Sequence, residues 1–300
     1  MLTSRPKVSI GMPVYNSERY LEEALDSLVS QSFEDFELII SDNASTDRTA
    51  EICKRYAAKD ERIRYVRNRA NFGILYNFRQ TFRLSSGEFF KWAAADDVCG
   101  RDYLLRAVEA LDADPSVILA WGRTQGIDEH GEPTELPYEL YDLNSPTSVY
   151  SPDPVVRWRR LMRNIWWVDG PFYGVIRSDV LAKVPVLRDH ISCDHFLIAD
   201  LILHGRFFEI PETLFLTRVH PGKTSRVRTR RERAVLFEMD PAKKRRLRRL
   251  KVVRLYVYRP LTYLATVRAA PITPSQKAQC AVEVIQAGMR WLRRPGQGGY

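Results

Sequence analysis

The stretch EFFKWAAADD, residues 88–97, decides the fold, because an apolar segment typical of a strand runs directly into two adjacent carboxylates. Side chains alternate along a strand, so Asp96 and Asp97 cannot both face one apolar core. Two neighbouring acids also repel each other unless a cation or hydrogen-bond donors offset their charge. A divalent cation that carries a phosphate is one such offset. The alternative from the residues alone is a helix N-terminus in the following loop, where aspartate is a common cap.

Strand-like and helix-like segments alternate on the N-terminal side of this stretch. Their order is β-α-β-α-β-α-β, which predicts an α/β fold with a mainly parallel sheet inside a three-layer α/β/α sandwich. Ligands of such sheets bind outside the carboxyl ends of the strands. Polar clusters fall at three of those ends: Tyr15-Asn16, Asp42 to Asp47 and Asp96-Asp97. The predicted strands are Val8–Met12, Phe36–Ser41, Ile63–Val66 and Phe89–Ala93, and the predicted helices are 17–30 (with Ser17 as the cap), 49–58 and 74–84.

Downstream of the acidic pair, the pattern predicts further helices and strands of the same kind. Residues 126–154 are rich in Pro, Glu, Asp and Tyr, and they are predicted to be irregular. The predicted helices are 104–111, 155–164, 194–203 and one capped by Ser178, and the predicted strands are 117–122, 172–177, 207–210 and 214–219.

The bulk composition indicates a globular, intracellular protein. Three hundred residues suit one large domain or two small ones, and a hydrophobic fraction of 45% is ordinary for such a chain. The four cysteines are far apart, without a C-x-x-C pair, which argues against a zinc site or a disulfide framework and fits a reducing cytosol. No signal peptide and no transmembrane helix are predicted.

The positive charge is concentrated near the C-terminus. The chain carries +9 overall, but Lys223 to Arg259 alone hold 15 Lys/Arg and 3 Asp/Glu, a local charge of +12. Residues 243–255 place Leu247, Leu250 and Val253 among cations at near-helical spacing, which is typical of a helix on an anionic membrane. Tyr256, Tyr258, Tyr263 and Leu264 would add interfacial anchoring, so a membrane surface through 243–264 is expected. The alternatives are a helix packed on the domain and a nucleic-acid patch; no nucleic acid is expected, because no binding fold accompanies the patch.

Glycine-rich phosphate motifs are missing from the chain. No G-x-G-x-x-G follows the first strand, and no G-x-x-x-x-G-K-[ST] is present. A phosphate must therefore be held in another way, and a carboxylate-bound metal is the obvious candidate.

Four motifs together resemble those of a known family. Pro13–Asn16, Ser41–Asp47, Asn71–Gly73 and Ala95–Asp97 resemble the inverting, nucleotide-sugar-dependent glycosyltransferases of family 2, whose fold is the GT-A type. The resemblance covers about residues 6–225. It implies a catalytic domain over 1–225, with a nucleotide-binding half at about 1–100 and an acceptor-binding half at about 101–225. Residues 226–300 would form a basic, amphipathic helical C-terminal extension.

The resemblance implies a role for each motif on the nucleotide side. Pro13, Tyr15 and Asn16 would line the base and ribose, and Asn71 and Gly73 would close beside the nucleotide unless they form a plain turn. Asp42 would accept the imide N–H of uracil or thymine, which discriminates against a base edge without that donor. A turn cap is the alternative for Asp42.

The same resemblance implies a divalent metal, Mn²⁺ or Mg²⁺. Asp97 would bind it directly, and Asp96 would lie near the ribose or a metal-bound water. His220 would add a further metal or diphosphate contact, although a structural histidine is the alternative. A cation between the diphosphate oxygens stabilises the charge that develops as the sugar leaves.

Inversion requires a base opposite the leaving group. The resemblance implies Asp194 for this role, although Cys193 stands where the family has Glu. Asp189 and Asp179 are rivals, and a helix N-cap is the alternative reading of Asp194. Trp166, Trp167 and Asp169 are expected on the acceptor side, unless the two tryptophans belong to the core.

These expectations combine into one predicted activity. A hexosyl or related sugar would pass from a nucleoside diphosphate donor, with UDP as the nucleotide, to a hydroxyl acceptor with inversion. Single transfer is expected because the processive Gln-x-x-Arg-Trp signature is missing. Cell-surface polysaccharide or glycolipid synthesis would suit a cytoplasmic enzyme that is peripheral on the inner membrane face, with a glycan or lipid-linked acceptor. The alternatives are a metal-dependent nucleotidyltransferase, which would need a basic Gly-rich loop after the first strand, and a non-catalytic membrane- or nucleic-acid-binding protein.

Overall fold

A computed structural model describes residues 5–136, 149–163, 169–190, 192–221 and 258–293. Within these ranges the chain forms one mixed sheet with helices on both faces, as the sequence predicts. The strands are β1 (Val8–Val14), β2 (Phe36–Asp42), β3 (Ile63–Arg67), β4 (Phe89–Trp92), β5 (Val98–Cys99), β6 (Val117–Ile127), β7 (Pro133–Thr134), β8 (Val175–Arg177) and β9 (Arg206–Arg218). The helices are α1 (Leu21–Val29), α2 (Thr49–Ala57), α3 (Ile74–Arg83), α4 (Tyr103–Ala113), α5 (Pro154–Arg163), α6 (Asp169–Phe172), α7 (Ser178–Leu181), α8 (Cys193–Ile202), α9 (Arg259–Ala269) and α10 (Pro274–Arg293).

The sheet order is β3-β2-β1-β4-β8-β6-β9-β5, with β7 paired to β6. Strands β1 to β4 run parallel to one another, and β6 is parallel to β9. Strand β8 is antiparallel to both β4 and β6, and β5 is antiparallel to β9. Val14 pairs with Asp42, so β1 and β2 end at the same level. The expectation of a mainly parallel α/β sheet is therefore confirmed, and it brings the polar clusters of the first two strands to one edge.

Each face of the sheet carries its own apolar core. On β1, Val8, Ile10, Met12 and Val14 all face the core that α1, α2 and α4 cover. Phe90 and Trp92 of β4 face the opposite core, which α3, α5 and α8 cover together with α9 and α10. This alternation is the period-two pattern of a strand buried on both sides.

Several element boundaries differ from the sequence predictions. Helix α1 begins at Leu21 rather than Ser17, whose backbone N–H instead donates to Oγ1 of Thr49 (2.8 Å) and ties the turn to α2. Ser178 does not cap α7 either, since its hydroxyl donates to the Gly87 carbonyl (2.7 Å). Phe172 ends a helical turn instead of starting a strand, because it stacks on Trp92 at 5.3 Å.

The strands on the second half of the sheet are longer than predicted. β6 continues to Ile127, into the segment expected to be irregular, and the two strands expected at 207–210 and 214–219 are the single strand β9. Register shifts near Gly122 to Thr124 allow the two long strands to stay paired past Pro211.

The C-terminal helices α9 and α10 form a hairpin that is part of the second core. Tyr263 is fully buried and lies edge-to-face with Trp158 and Phe196. The indole N–H of Trp158 donates to the Cys280 carbonyl (3.0 Å), and Thr266 donates to Asp200 of α8 (2.6 Å). The prediction that Tyr263 anchors a membrane interface is therefore wrong, because its ring fills the core.

The basic run from 243 to 257 lies outside the described residues. Among the helices that the structure does describe, none is both long enough and apolar enough to cross a membrane. After residue 221, the structure describes Tyr258 and the hairpin that follows it.

Gly11 provides a stability test of the sheet–α3 contact. A Cβ at Gly11 would lie 2.5 Å from Oγ1 of Thr81 and 2.7 Å from the Phe90 ring. Gly11→Ala should therefore destabilise the fold by about 1–3 kcal/mol through overpacking. The matched control is Gly288→Ala in α10, where the nearest atom would be 3.8 Å away; it should stabilise by about 0.5–1 kcal/mol. Urea unfolding measures both, and an equal effect of the two changes would contradict the packing.

Candidate functional site

The loop after β1 and the loop after β2 are joined by direct hydrogen bonds. Asn16, with φ of 48°, accepts the backbone N–H of Thr46 on its side-chain oxygen (2.8 Å). Its own backbone N–H donates to the Ser45 hydroxyl (3.0 Å). Tyr15 is 44% exposed beside this contact, and Pro13 pairs with Ser41. The structure thus brings Pro13, Tyr15 and Asn16 next to the Asp42 loop, as the motifs predict.

Asp42 is fully buried at the end of β2 and accepts three donors. The Arg67 guanidinium (2.6 Å) and the Tyr65 hydroxyl (2.7 Å) donate to Oδ2, and the Ser45 backbone N–H (2.8 Å) donates to Oδ1. Burial, followed by the hydrogen bond to this carboxylate, raises the pKa of Tyr65 to about 12, so Tyr65 stays a donor at neutral pH. The carboxylate is therefore held in one orientation at the strand end.

A buried network of amide side chains joins three segments around this edge. Asn77 of α3 donates to the Val14 and Ser41 carbonyls (3.2 and 2.8 Å). Asn43 donates to Oδ1 of Asn71 (2.7 Å) and accepts from Asn68 (3.2 Å). Asn71 also accepts the Gly73 backbone N–H (2.8 Å), and Gly73 has φ of 86°, a conformation that favours glycine. The motif Asn71–Gly73 thus contacts the loop after β2 directly.

The acidic turn is the segment Ala95–Asp97 that follows β4, and in it Asp96 contacts His220. Oδ2 of Asp96 lies 2.9 Å from Nε2 of His220, and the Asp96 side chain is 26% exposed. The other face of the imidazole packs on Tyr20, with ring centroids 5.0 Å apart. The structure therefore brings together two residues that are 124 positions apart in the sequence.

Asp97 is buried and tied to the end of β9. Its Oδ1 accepts the Arg218 backbone N–H (2.8 Å) and the Thr217 hydroxyl (3.2 Å). The Arg218 guanidinium donates to the Asp96 carbonyl (3.0 Å) and the Asp128 carbonyl (2.9 Å), and it pairs with Glu23 (2.6 Å). The two acids thus have separate environments: Asp96 meets the imidazole near solvent, while Asp97 is fixed inside.

A buried ammonium lies behind the acidic turn. Lys91 of β4 is fully buried, donates to the Tyr173 carbonyl (2.7 Å) and sits over the Tyr103 ring (4.3 Å). Burial lowers the pKa of Lys91, while the Cys99 thiol and the Asp97 carboxylate act in the opposite direction. Lys91 is therefore a fixed neighbour of the acids and faces no solvent.

The donor chemistry at the acidic turn fits a hard divalent cation. Within the described residues there is no group of three or more His, Cys, Asp or Glu side chains arranged to hold a metal. Mg²⁺ and Mn²⁺ sites of nucleotide enzymes need fewer protein ligands, since one or two carboxylates and the substrate phosphates complete the shell. An aspartate and a histidine in contact, with a second aspartate beside them, satisfy that requirement.

Asp194 lies in the first turn of α8, next to its partner His195. Oδ1 of Asp194 is 3.0 Å from Nδ1 of His195 and accepts the His195 backbone N–H (2.8 Å). Burial raises the pKa of Asp194, but the charge and hydrogen bonds of His195 outweigh it and leave the pKa below its usual value. The helix N-cap is Ser192, so Asp194 is not the cap, and its side chain stays 30% exposed.

The rivals of Asp194 are engaged in surface ion pairs. Asp189 pairs with Arg79 (2.7 Å) and Asp179 with Lys183 (2.9 Å), and both carboxylates are more than half exposed. Trp166 and Trp167 lie outside the described residues, so their acceptor-side role stays a prediction. Asp169 begins α6, which follows directly in the chain.

Three side chains of the site were missed by sequence reasoning. Tyr65 and Arg67 hold Asp42, and they are spaced two apart on β3, the period that places them on one face. Arg218 holds the acidic turn, and the signal for it was its place two residues before His220 at a strand end.

Comparisons with known proteins identify the family of the chain. Residues 9–176 match the model of glycosyl transferase family 2. EpsE of Bacillus subtilis is 38% identical over 98 residues, which are 32% of this chain and 35% of that protein. The poly(ribitol-phosphate) beta-glucosyltransferase of Bacillus spizizenii is 35% identical over 133 residues, 43% of this chain and 21% of that protein. The matched stretches thus span well under half the length of these relatives.

Solved structures extend the likeness in fold beyond the matched segment. S. aureus TarS 1-349 in complex with UDP-GlcNAc aligns with a TM-score of 0.68 at 19% identity, over 97% of this chain and 74% of that one. The mannosyltransferase PcManGT from Pyrobaculum calidifontis, in complex with GDP-Man and Mn²⁺, aligns with a TM-score of 0.57 at 20% identity, over 98% of this chain and 82% of that one. Since the family model covers more than half of the residues, the chain belongs to glycosyl transferase family 2.

Proposed function

We propose that the protein transfers one sugar from a nucleoside diphosphate donor, a UDP-sugar, to a hydroxyl acceptor with inversion at the anomeric carbon. The contact between Asp96 and His220 (2.9 Å), beside buried Asp97, carries the proposal. It would form a cation site at the carboxyl edge of the sheet, which is where ligands of such sheets bind.

The nucleotide side of the proposed site consists of the joined β1 and β2 loops. Exposed Tyr15 offers a face for stacking on the base, and Asp42 is the proposed acceptor for the uracil imide. Since Tyr65 and Arg67 cover this buried carboxylate, the imide of the base would have to replace one of their hydrogen bonds to reach Asp42. TarS with UDP-GlcNAc shares this fold, which supports a UDP donor.

Asp97 and His220 are the residues that would hold Mn²⁺ or Mg²⁺, and Asp96, which contacts His220, would lie beside the cation on the ribose side. A bound cation would stabilise the negative charge that develops on the leaving diphosphate. Arg218 keeps both aspartates in place from behind, through its backbone N–H to Asp97 and its guanidinium to the Asp96 carbonyl. The PcManGT complex contains Mn²⁺, in agreement with this assignment.

Asp194 is the proposed general base that takes the proton from the acceptor hydroxyl. His195 holds the carboxylate in one orientation and keeps it ionised across the neutral range. Its rivals Asp179 and Asp189 are committed to exposed lysine and arginine partners, which favours Asp194. As the hydroxyl oxygen bonds to the anomeric carbon and the bond to the diphosphate breaks, its proton passes to Asp194.

The acceptor is proposed to be a glycan or lipid-linked precursor of a cell-surface polysaccharide or glycolipid. The similarity to a poly(ribitol-phosphate) beta-glucosyltransferase supports a polymeric or envelope acceptor. The local charge of +12 in Lys223 to Arg259 supports a place on the inner face of the membrane. Trp166, Trp167 and Asp169 remain the proposed acceptor-side residues.

The metal proposal predicts a cation-dependent affinity for UDP. In His220→Ala and in Asp97→Asn, the Mn²⁺-dependent gain in UDP affinity should fall by at least about 10-fold, since a metal ligand is removed. Isothermal titration of UDP with and without Mn²⁺ measures this gain. Asp179→Asn, at an exposed carboxylate paired with Lys183, is the matched control and should keep it. If both site variants kept the Mn²⁺-dependent gain in UDP affinity, the cation would not bind at this turn.

The base proposal predicts a specific change in the pH profile. Asp194→Asn should lower kcat for UDP release from a UDP-sugar by about 10²–10⁴-fold while leaving UDP affinity intact. His195→Gln removes the interactions that lower the pKa of Asp194, so that pKa rises. The base works only when ionised, so activity is lost as the pH falls through its pKa. The acid limb of kcat should therefore move to higher pH in His195→Gln, and an unmoved limb would exclude Asp194.

A further inference from the structure

The outer face of the α9–α10 hairpin carries a stripe of large apolar side chains. Val282, Ile285 and Met289 are 51%, 58% and 48% exposed, and their spacing places them on one face of α10. Cys280, Val284 and Ala287, which α10 uses to cover Trp158 and the second core, are fully buried. The stripe is therefore an additional apolar surface, distinct from the face that stabilises the hairpin.

Helix α9 extends this surface at one end. Leu261 is 58% exposed, and its neighbour Pro260 is the nearest group to a Cβ built on Gly288 (3.8 Å). This approach brings the start of α9 alongside the second half of α10, where Ile285 and Met289 lie. Leu261 and the α10 stripe thus belong to one end of the hairpin.

The exposed charges that the structure describes on the hairpin have one sign. Arg268 and Arg290 are exposed, and Lys277 reaches the Arg268 carbonyl with its ammonium (2.7 Å). Glu283 points inward to Arg159 (2.5 Å) and is only 6% exposed, so it contributes little negative charge at the surface. The sequence from Lys223 to Arg259, which leads into α9, has a local charge of +12.

This combination favours an anionic surface over a second copy of the chain. In a two-fold dimer the same patch meets itself, so the basic rims of two hairpins would face each other and repel. An anionic phospholipid layer takes apolar side chains into its acyl boundary and neutralises the cations around them. The surface has the composition that such a layer requires.

We propose that Leu261, Val282, Ile285 and Met289 form a docking face that inserts into an anionic phospholipid surface. The inference rests on the proposed membrane location of the enzyme, and it places the contact on the hairpin rather than on residues 243–257 alone. Because the hairpin packs on α5 and α8, docking there fixes the catalytic domain relative to the membrane.

The test uses a fluorophore that reports insertion. The four natural cysteines are buried, so a cysteine introduced by Ile285→Cys can be labelled selectively with an environment-sensitive dye. The full chain is mixed with vesicles of equal parts phosphatidylglycerol and phosphatidylcholine, and with vesicles of phosphatidylcholine alone. We expect a blue shift and protection from iodide with the anionic vesicles only. The matched control is Glu51→Cys on α2, an exposed position that should show neither change.

Flotation of unlabelled variants provides the second measurement. Ile285→Asn with Met289→Asn should lower vesicle binding at high salt by about 10-fold, since insertion of apolar groups resists screening. Ile285→Leu with Met289→Leu, which keeps the apolar surface of the stripe, should bind as the unaltered chain does.

Three outcomes would overturn the proposal. They are flotation without a shift at position 285, unchanged binding of the double variant, and a disulfide between two copies through Cys at 285 in the absence of vesicles. Neither assay uses a sugar donor. If the chain docked on vesicles but did not bind UDP, the proposed transferase function would be wrong and the docking face would stand. If it bound UDP but did not dock, only the docking face would be wrong.

Discussion

The arrangement at the acidic turn depends on Arg218. This side chain is 1% exposed, and a buried guanidinium is tolerated only when its donors and charge are satisfied. It finds two carbonyls, the Glu23 carboxylate and the face of the Tyr20 ring at 4.6 Å. Strand β9, the turn after β4 and helix α1 therefore meet at one cation. Asp97 accepts the Arg218 backbone N–H, and His220 follows Arg218 two residues later in the chain, so both side chains are positioned by the residue that joins these three elements.

Local patterns predicted most of the fold because the parallel half of the sheet obeys local rules. In β1 and β2, apolar runs end in polar loops, and the helices between them have a clear apolar face. The errors arose where distant contacts decide. Phe172 is drawn into a helical turn by Trp92, and β6 and β9 extend because each provides the other with a partner. Such pairings have no signature in either segment alone.

Some residues of the candidate site could be predicted from the sequence for a related reason. Asp42, Asp96 and Asp97 could be found because a carboxylate directly after an apolar strand is conspicuous. The residues that hold them were harder to find. Tyr65 and Arg67 sit within a strand, where aromatic and cationic side chains are ordinary, and only the folded sheet shows that both meet Asp42. The positive charge of the C-terminal region predicted a membrane contact. Charge alone does not predict that Tyr263 is buried against Trp158.

The amide network of Asn43, Asn68, Asn71 and Asn77 has a thermodynamic consequence. These side chains bind the ends of β1 and β2 and the segment before α3 into one hydrogen-bonded unit. The conformational entropy of those loops is therefore lost when the chain folds, and a ligand that enters at this edge does not have to order them again. A nucleotide bound on the proposed Asn16–Asp42 side would therefore meet a backbone that is already ordered. Its binding there would carry little entropic cost of ordering the loops.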